Sequence, residues 1–365
     1  MSLILTFLGK GGVGRTTIAI AAAKQLASQG SRVLLIGADP SPTFAMLLGV
    51  SVEAEPTEIG ANLQAVQLQS TVLLEKGWEE VKQLEKEYLQ NPTLKNVYGQ
   101  ELSLIPGMES ALALKAIREY RESKKYDVIV YDGKGDVTTL KMLAIPETVS
   151  WYYRRFRQVF AESDFGKAIS PFVQPLSGAI LNNSWSGDSF ADESTNKIQS
   201  MIDDAKAAIA DPKQVAAYLV TTDNPAALTM AKYLWGSAQQ VGLTVGGLLL
   251  NQGNATEAIS NNFAPLTVTA VPECGAGEWQ KIMDSLPNFR KTPEVPKPME
   301  VDTANGQVKL FLPGFDKKQV KLTQYGPEIT IEAGDQRRNI TLPSPLKGKP
   351  VKGAKFQDGY LIISF

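Results

Sequence analysis

Nine consecutive residues, Gly9-Lys10-Gly11-Gly12-Val13-Gly14-Arg15-Thr16-Thr17, bring glycines, two cations and two hydroxyls to one place in the chain. Glycines let successive backbone N–H groups curl toward a common point, and a helix opening at the end of the run aims its positive end there. The ligand that suits such a nest is a polyphosphate. A glycine-rich turn without a ligand is the competing reading, and the flanking sequence weighs against it. An apolar run, Leu3 to Leu8, precedes the glycines, and a helical pattern, Ile18 to Ala27, follows them. Strand, glycine loop, helix is the context that makes a phosphate-loop motif a site. The lysine of GxxxxGK[ST] is an arginine here, Arg15, and a lysine comes early instead, at Lys10.

Two carboxylates join this loop. Arg32 to Ile36 reads as a second buried strand and runs into Gly37-Ala38-Asp39-Pro40-Ser41-Pro42-Thr43. Asp127 to Tyr131 reads as another strand and ends on Asp132. Doubly wound sheets bind their ligands at the carboxyl ends of their strands, so Asp39 and Asp132 are expected beside the phosphate loop. An acid closing an apolar strand is the pattern that holds magnesium near a nucleotide. Gly133 to Lys141 then supplies a loop suited to sensing a terminal phosphate. A strand ending in an acid is common in α/β proteins, and the glycine loop is what gives this one its meaning.

The elements that must position these groups alternate. Further strands are expected at Leu63–Leu68, Glu101–Ile105, Val215–Thr221, Thr244–Leu250 and Leu266–Val271, with helices such as Glu109–Lys124 and Pro225–Val241 between them. Such alternation indicates an α/β fold, a doubly wound parallel sheet with helices on both faces. Two stretches interrupt it, about 69–99 and 147–210, both helical in part. The second carries Trp151-Tyr152-Tyr153-Arg154-Arg155-Phe156, then Val159 and Phe160, which suit either a helical core or a groove for an apolar client. Ordinary core is the favoured reading of aromatics at this spacing.

The composition changes near Pro287. Residues 1–290 form the α/β part, 291–298 (Lys291-Thr292-Pro293-Glu294-Val295-Pro296-Lys297-Pro298) a semi-rigid linker, and 299–365 an all-β module. Alternating pairs such as Val308 and Leu310, or Ile329 and Ile331, mark its strands, and Asp358-Gly359 a tight hairpin. A β-sandwich is expected.

Composition also excludes. One cysteine, Cys274, and no histidine leave no disulfide framework and no common zinc site. With histidine absent, catalysis would rest on carboxylates, cations and backbone amides. A net charge of −1 with mixed signs argues against a nucleic-acid or polybasic membrane surface. No apolar run approaches the ~20 residues that span a bilayer. Because the first strand starts at Leu3, no leader is expected, and the expected location is cytoplasmic without stable membrane insertion.

These residues resemble a known family. The glycine loop, Ala38-Asp39-Pro40, Pro106-Gly107-Met108-Glu109-Ser110-Ala111-Leu112-Ala113, Tyr126 to Asp132, and Thr138 to Lys141 followed by Ile145-Pro146-Glu147 are similar to the arsenite-pump and tail-anchored-protein-targeting ATPases. The early Lys10 resembles the deviant Walker A class of P-loop NTPases, which form nucleotide-sandwich homodimers. The resemblance implies ATP and magnesium as cofactors. Gly11, Gly12, Val13, Gly14, Arg15, Thr16 and Thr17 would hold phosphates, Thr16 and Asp132 magnesium. Lys10 would cross to the partner, and Asp39 would orient the attacking water. Leu248-Leu249-Leu250-Asn251-Gln252 resembles the strand end whose asparagine, Asn251, reads adenine, with Pro272 near the base. The family's CxxC zinc pair is missing, and Thr138 stands where it has a histidine.

The tail resembles an α-crystallin, small heat-shock domain through Leu312-Pro313-Gly314-Phe315 and Ala354 to Leu361. Such a fusion is similar to a branch known from cyanobacteria and plastids. The resemblance implies an ATP-dependent dimeric switch that binds hydrophobic client proteins, as a chaperone or as a targeting factor for tail-anchored membrane proteins. A nucleotide-binding scaffold that does not turn over and a cell-division or partitioning ATPase are the alternatives. Arsenite pumping is disfavoured, since one cysteine cannot supply a thiolate cluster.

Overall fold

The structure, a computed structural model, describes residues 2–88, 107–152, 192–275 and 277–365. The central element is β1 (Leu3–Leu8), whose inner residues Leu5, Phe7 and Leu8 are buried. Through the glycine loop it leads to α1 (Arg15–Ser28). Gly14 begins that helix with φ 88°, a left-handed conformation that glycine adopts without penalty. Then follow β2 (Val33–Gly37), α2 (Thr43–Leu48), β3 (Thr57–Gly60) and β4 (Leu63–Gln67).

β5 (Val128–Asp132) lies between β1 and β2, and β6 (Val215–Thr221) flanks β1 on its other side. β7 (Val245–Asn251) and β8 (Val268–Val271) complete an eight-stranded sheet in the order β3-β4-β2-β5-β1-β6-β7-β8. Every neighbouring pair is parallel except β3 with β4. The order reverses direction around β1, so the chain opens a crevice at the carboxyl ends of these strands. β2, β5 and β6 are buried along their whole length, as strands covered on both faces must be.

The expected strands agree with these to within one or two residues. The exceptions are Glu101–Ile105, which lies outside the described residues, and β3, an antiparallel edge strand that no alternation announced. Its short, exposed Thr57-Glu58-Ile59-Gly60 has too little apolar content to register as a strand.

The chain forms two compact units, residues 1–67, 124–141 and 208–365, and residues 68–123 and 142–207. The second is helical where described. In it α3 (Ser70–Tyr88) and α4 (Met108–Glu122) pack through Leu74, Met108 and Leu112. α5 (Val137–Leu143) follows β5, and α6 (Asp192–Ala210) precedes β6.

The first unit also contains the all-β module. One sheet runs β14 (Gly353–Gln357), β15 (Tyr360–Ser364), β10 (Gln307–Phe311), β9 (Met299–Asp302), and the other β11 (Val320–Tyr325), β12 (Glu328–Ala333), β13 (Gln336–Thr341). Val308, Leu310, Ile329, Ile331 and Ile363 fill the space between them. The β14–β15 hairpin turns on Asp358 and Gly359 at φ 52° and 77°, as a type I′ turn requires.

This module rests on α7 (Pro225–Gln240). Trp235 stands edge-on to Phe311 at 5.5 Å, and Tyr233 edge-on to Phe315 at 5.7 Å. Gln240 donates to the carbonyl of Ile331 at 2.8 Å, and Arg338 to that of Gln239 at 3.1 Å. Gly236 is required there, because a Cβ would lie 2.2 Å from the carbonyl oxygen of Pro313. α8 (Glu257–Asn262) and α9 (Trp279–Ser285) close the unit, with Lys24 of α1 over the Trp279 ring at 5.4 Å.

Candidate functional site

The glycine loop sits on the sheet at the carboxyl end of β1. Gly9 is buried against β6, where a Cβ would meet the Val220 carbonyl oxygen at 2.1 Å, and its N–H donates to Gly135 at 2.8 Å. Gly11 and Gly12 face open space, and Gly12 has φ 83°. The loop thus presents backbone N–H groups around an open cradle ahead of α1. Val13 anchors it in the core at 4 % exposure. Thr17 lies in the first turn of α1, half-buried.

Asn251, at the end of β7, holds the loop from below. Its side-chain N–H donates to the Val13 carbonyl at 2.9 Å, and a Cβ on Gly14 would come within 2.3 Å of it. Pro272 lies one residue past β8, beside Asn251, which is in register with Val271. Lys10 is exposed at the mouth of the loop.

Thr16 and Asp132 meet. Thr16, in the first turn of α1, lies close enough to the Asp132 carboxylate, only 7 % exposed, to favour its charged form. Burial pushes Asp132 up to about 6, against the opposing pull of Thr16 and Arg15, while the charge of Asp39 adds to the rise. An ionised carboxylate held at such a cost is poised for a cation. Magnesium takes one or two carboxylates together with phosphate oxygens, and Thr16 with Asp132 fit that donor set. Among the described residues no group of three or more acidic, cysteine or histidine side chains could hold a metal alone.

The raised value has a measurable consequence without any metal. Folding strengthens proton binding at Asp132, so its ionised form costs stability above pH 6, and the cost fades as pH falls from 6 toward 4. Asp132→Asn is expected to stabilise the metal-free protein at pH 7.5 by about 1–3 kcal/mol, with little gain at pH 4. Urea melts at the two pH values check this, and equal gains at both would remove the burial account.

Asp39 is exposed just past β2, and its carboxylate accepts the N–H of Ser41 at 2.9 Å. Gln67, at the end of β4, is a residue that sequence reasoning missed. Its buried amide donates to the carbonyls of Asp39 at 2.7 Å and Ser41 at 2.9 Å, which fixes the turn carrying Asp39. No sequence signal marked it, since β4 carries a second glutamine, Gln64, and the acceptors are main-chain carbonyls 26 and 28 residues away. Thr139 is another, since its hydroxyl accepts the Gly135 N–H at 2.9 Å and shapes the loop after β5.

A parallel sheet with a glycine cradle, a hydroxyl and a carboxylate at its carboxyl edge defines a phosphate-loop ATPase fold. Residues 2–269 match the anion-transporting ATPase family, and the chain belongs to it. Residues 304–365 match the HSP20-like domain found in these ATPases. A Chlorobaculum tepidum protein named as an arsenical pump-driving ATPase is 26% identical over 394 aligned positions, which cover 99% of this chain and 95% of that protein. An Aquifex aeolicus protein of similar name is 22% identical over 99% of both chains. The ATPase GET3 of Malassezia globosa is 30% identical over 169 residues, covering 46% of this chain and 47% of that one. No helix among the described residues is long and apolar enough to cross a membrane.

Proposed function

We propose that this chain is an ATP-dependent switch that works as a homodimer and binds hydrophobic client proteins, as a chaperone or as a targeting factor for tail-anchored membrane proteins. The observation that carries the reading is the Thr16–Asp132 pair beside an open cradle of backbone amides. Bound magnesium and ATP would supply an electrophilic terminal phosphate. Residues Gly11 to Thr17 would hold the phosphates, Thr16 and Asp132 the metal, and Asn251 and Pro272 the base. Asp39 would position water. Partial likeness to the GET3 ATPase supports the client part of the proposal, as does the helical unit containing α3 and α4.

Isothermal calorimetry with magnesium and ATP or ADP tests the nucleotide reading. Silence at concentrations on the order of millimolar, where binding is worth about 4 kcal/mol, would leave a cradle without a ligand.

The exposed Lys10 is assigned to the partner's nucleotide across the dimer. Lys10→Ala is expected to slow ATP turnover about ten- to hundredfold, the worth of a lost charged hydrogen bond, with unchanged circular dichroism. A variant that hydrolyses like the parent removes the crossing lysine. A scaffold that binds nucleotide without turnover is the second reading. It is favoured by Arg15, whose guanidinium donates to the carbonyl of Lys134.

A further inference from the structure

Arg15 occupies the position from which a cation reaches phosphate, yet it reaches sideways. Its guanidinium donates to the main-chain carbonyl of Lys134, in the turn between β5 and α5. Gly135 leaves the room for it, since a Cβ there would overlap the guanidinium and also lie 2.6 Å from the Phe7 carbonyl oxygen. The same turn is tied a second time, because Gly135 accepts the Gly9 N–H at 2.8 Å. Its own N–H is held by the hydroxyl of Thr139, in the first turn of α5. Two consecutive carbonyls, of Lys134 and Gly135, are therefore fastened to the two ends of the glycine loop. The side chain of Lys134 is exposed and is not what the loop grips.

We propose that Arg15 is a positioning residue that clamps the turn after β5 onto the phosphate loop before any nucleotide arrives, so that the start of α5 already stands against the cradle. The inference deepens the nucleotide reading of this site and rests on it for its functional meaning. An arginine suits the task because its planar fork can serve a carbonyl and keep donors for an anion at the same time. Asp132 and Asp136 both favour its charge, while burial lowers its pKa from the ordinary value more strongly than they raise it. A cation taken partly out of water gains from a carbonyl partner, which makes the clamp one of the stronger kinds of hydrogen bond. Asp136 sits at the far side of the turn, where its carboxylate accepts the Thr138 N–H at 2.8 Å. Releasing the Lys134 carbonyl would loosen the residues from there to α5 first.

The test is hydrogen exchange of the peptides spanning 133–141 in the full, nucleotide-free chain, with peptides from β6 and β7 as the internal reference. Arg15→Met keeps the length and bulk of the stem and removes the donors. It is expected to speed exchange in 133–141 by about tenfold or more and to leave the reference strands unchanged. Arg15→Lys restores a cation and is expected to stay within about threefold of the parent. If exchange in Arg15→Met matches the parent, the clamp does not exist. Equal loosening in Arg15→Met and Arg15→Lys also overturns it, since cation donation would then not be what holds the turn. Should the methionine chain also loosen β6 and β7, Arg15→Gln, whose shorter amide cannot reach the carbonyl, takes its place under the same criteria. Calorimetry of the same proteins with magnesium and ADP keeps the two questions apart. No heat in the parent would remove the nucleotide reading, whereas the clamp is decided by exchange measured without nucleotide.

Discussion

ATP turnover in the Asp39→Asn protein is expected to fall by roughly 10²- to 10⁴-fold, the usual worth of a positioned proton acceptor, while ATP binds as well as in the parent or slightly better. The split follows from charge and place. Asp39 is exposed in the turn after β2, close enough to Asp132 for its charge to be felt there, and a phosphate bound at the loop would repel it. Asparagine removes that repulsion together with the ability to take a proton from water. It keeps an oxygen for the Ser41 N–H, and Gln67 still grips the carbonyls of residues 39 and 41, so the turn stays where it is. Single-turnover hydrolysis and calorimetry on the two proteins separate rate from affinity. Equal rates would take Asp39 out of the mechanism and strengthen the scaffold reading.

The groups around the cradle were legible because each is announced by an abrupt change of residue type. Apolar runs stop at Leu8, Gly37 and Asp132, and glycines or an acid take over at once. Parallel pairing of β1 with β5 and of β2 with β5 then brings those ends together without further instruction. What could not be read is whatever depends on a backbone acceptor far along the chain. The partner of Arg15 is a carbonyl 119 residues away, and a carbonyl has no sequence signature. Gln67 presents the same difficulty. The module's seat on α7 was hidden for a different reason. Ser237, Gln239 and Gln240 are fully or almost fully buried, and polar residues at those positions look like a solvated face until the module covers them.

That seat carries the largest expected stability effect. Trp235 is 1 % exposed, stacks on Phe263 at 6.1 Å with 25° between the rings, and meets Phe311 of the module edge-on. It joins the helix, the core of the α/β part and the module in one contact. Trp235→Ala removes a large ring from a site whose surroundings cannot collapse, at an expected cost of about 3–5 kcal/mol. Denaturation followed by circular dichroism is the measurement, because loss of the indole would confuse fluorescence. The indole N–H has no hydrogen-bond partner among the described residues, so the ring matters for its area and stacking rather than for a bond. Trp235→Phe keeps one aromatic ring and leaves a smaller cavity, so it should cost clearly less than the alanine change, about 1–2 kcal/mol. A phenylalanine variant as unstable as the alanine one would contradict this and point to a water or backbone partner for the indole. An alanine variant that loses less than 1.5 kcal/mol would mean, on the same scale, that the module holds α7 through Gly236 and Tyr233 instead.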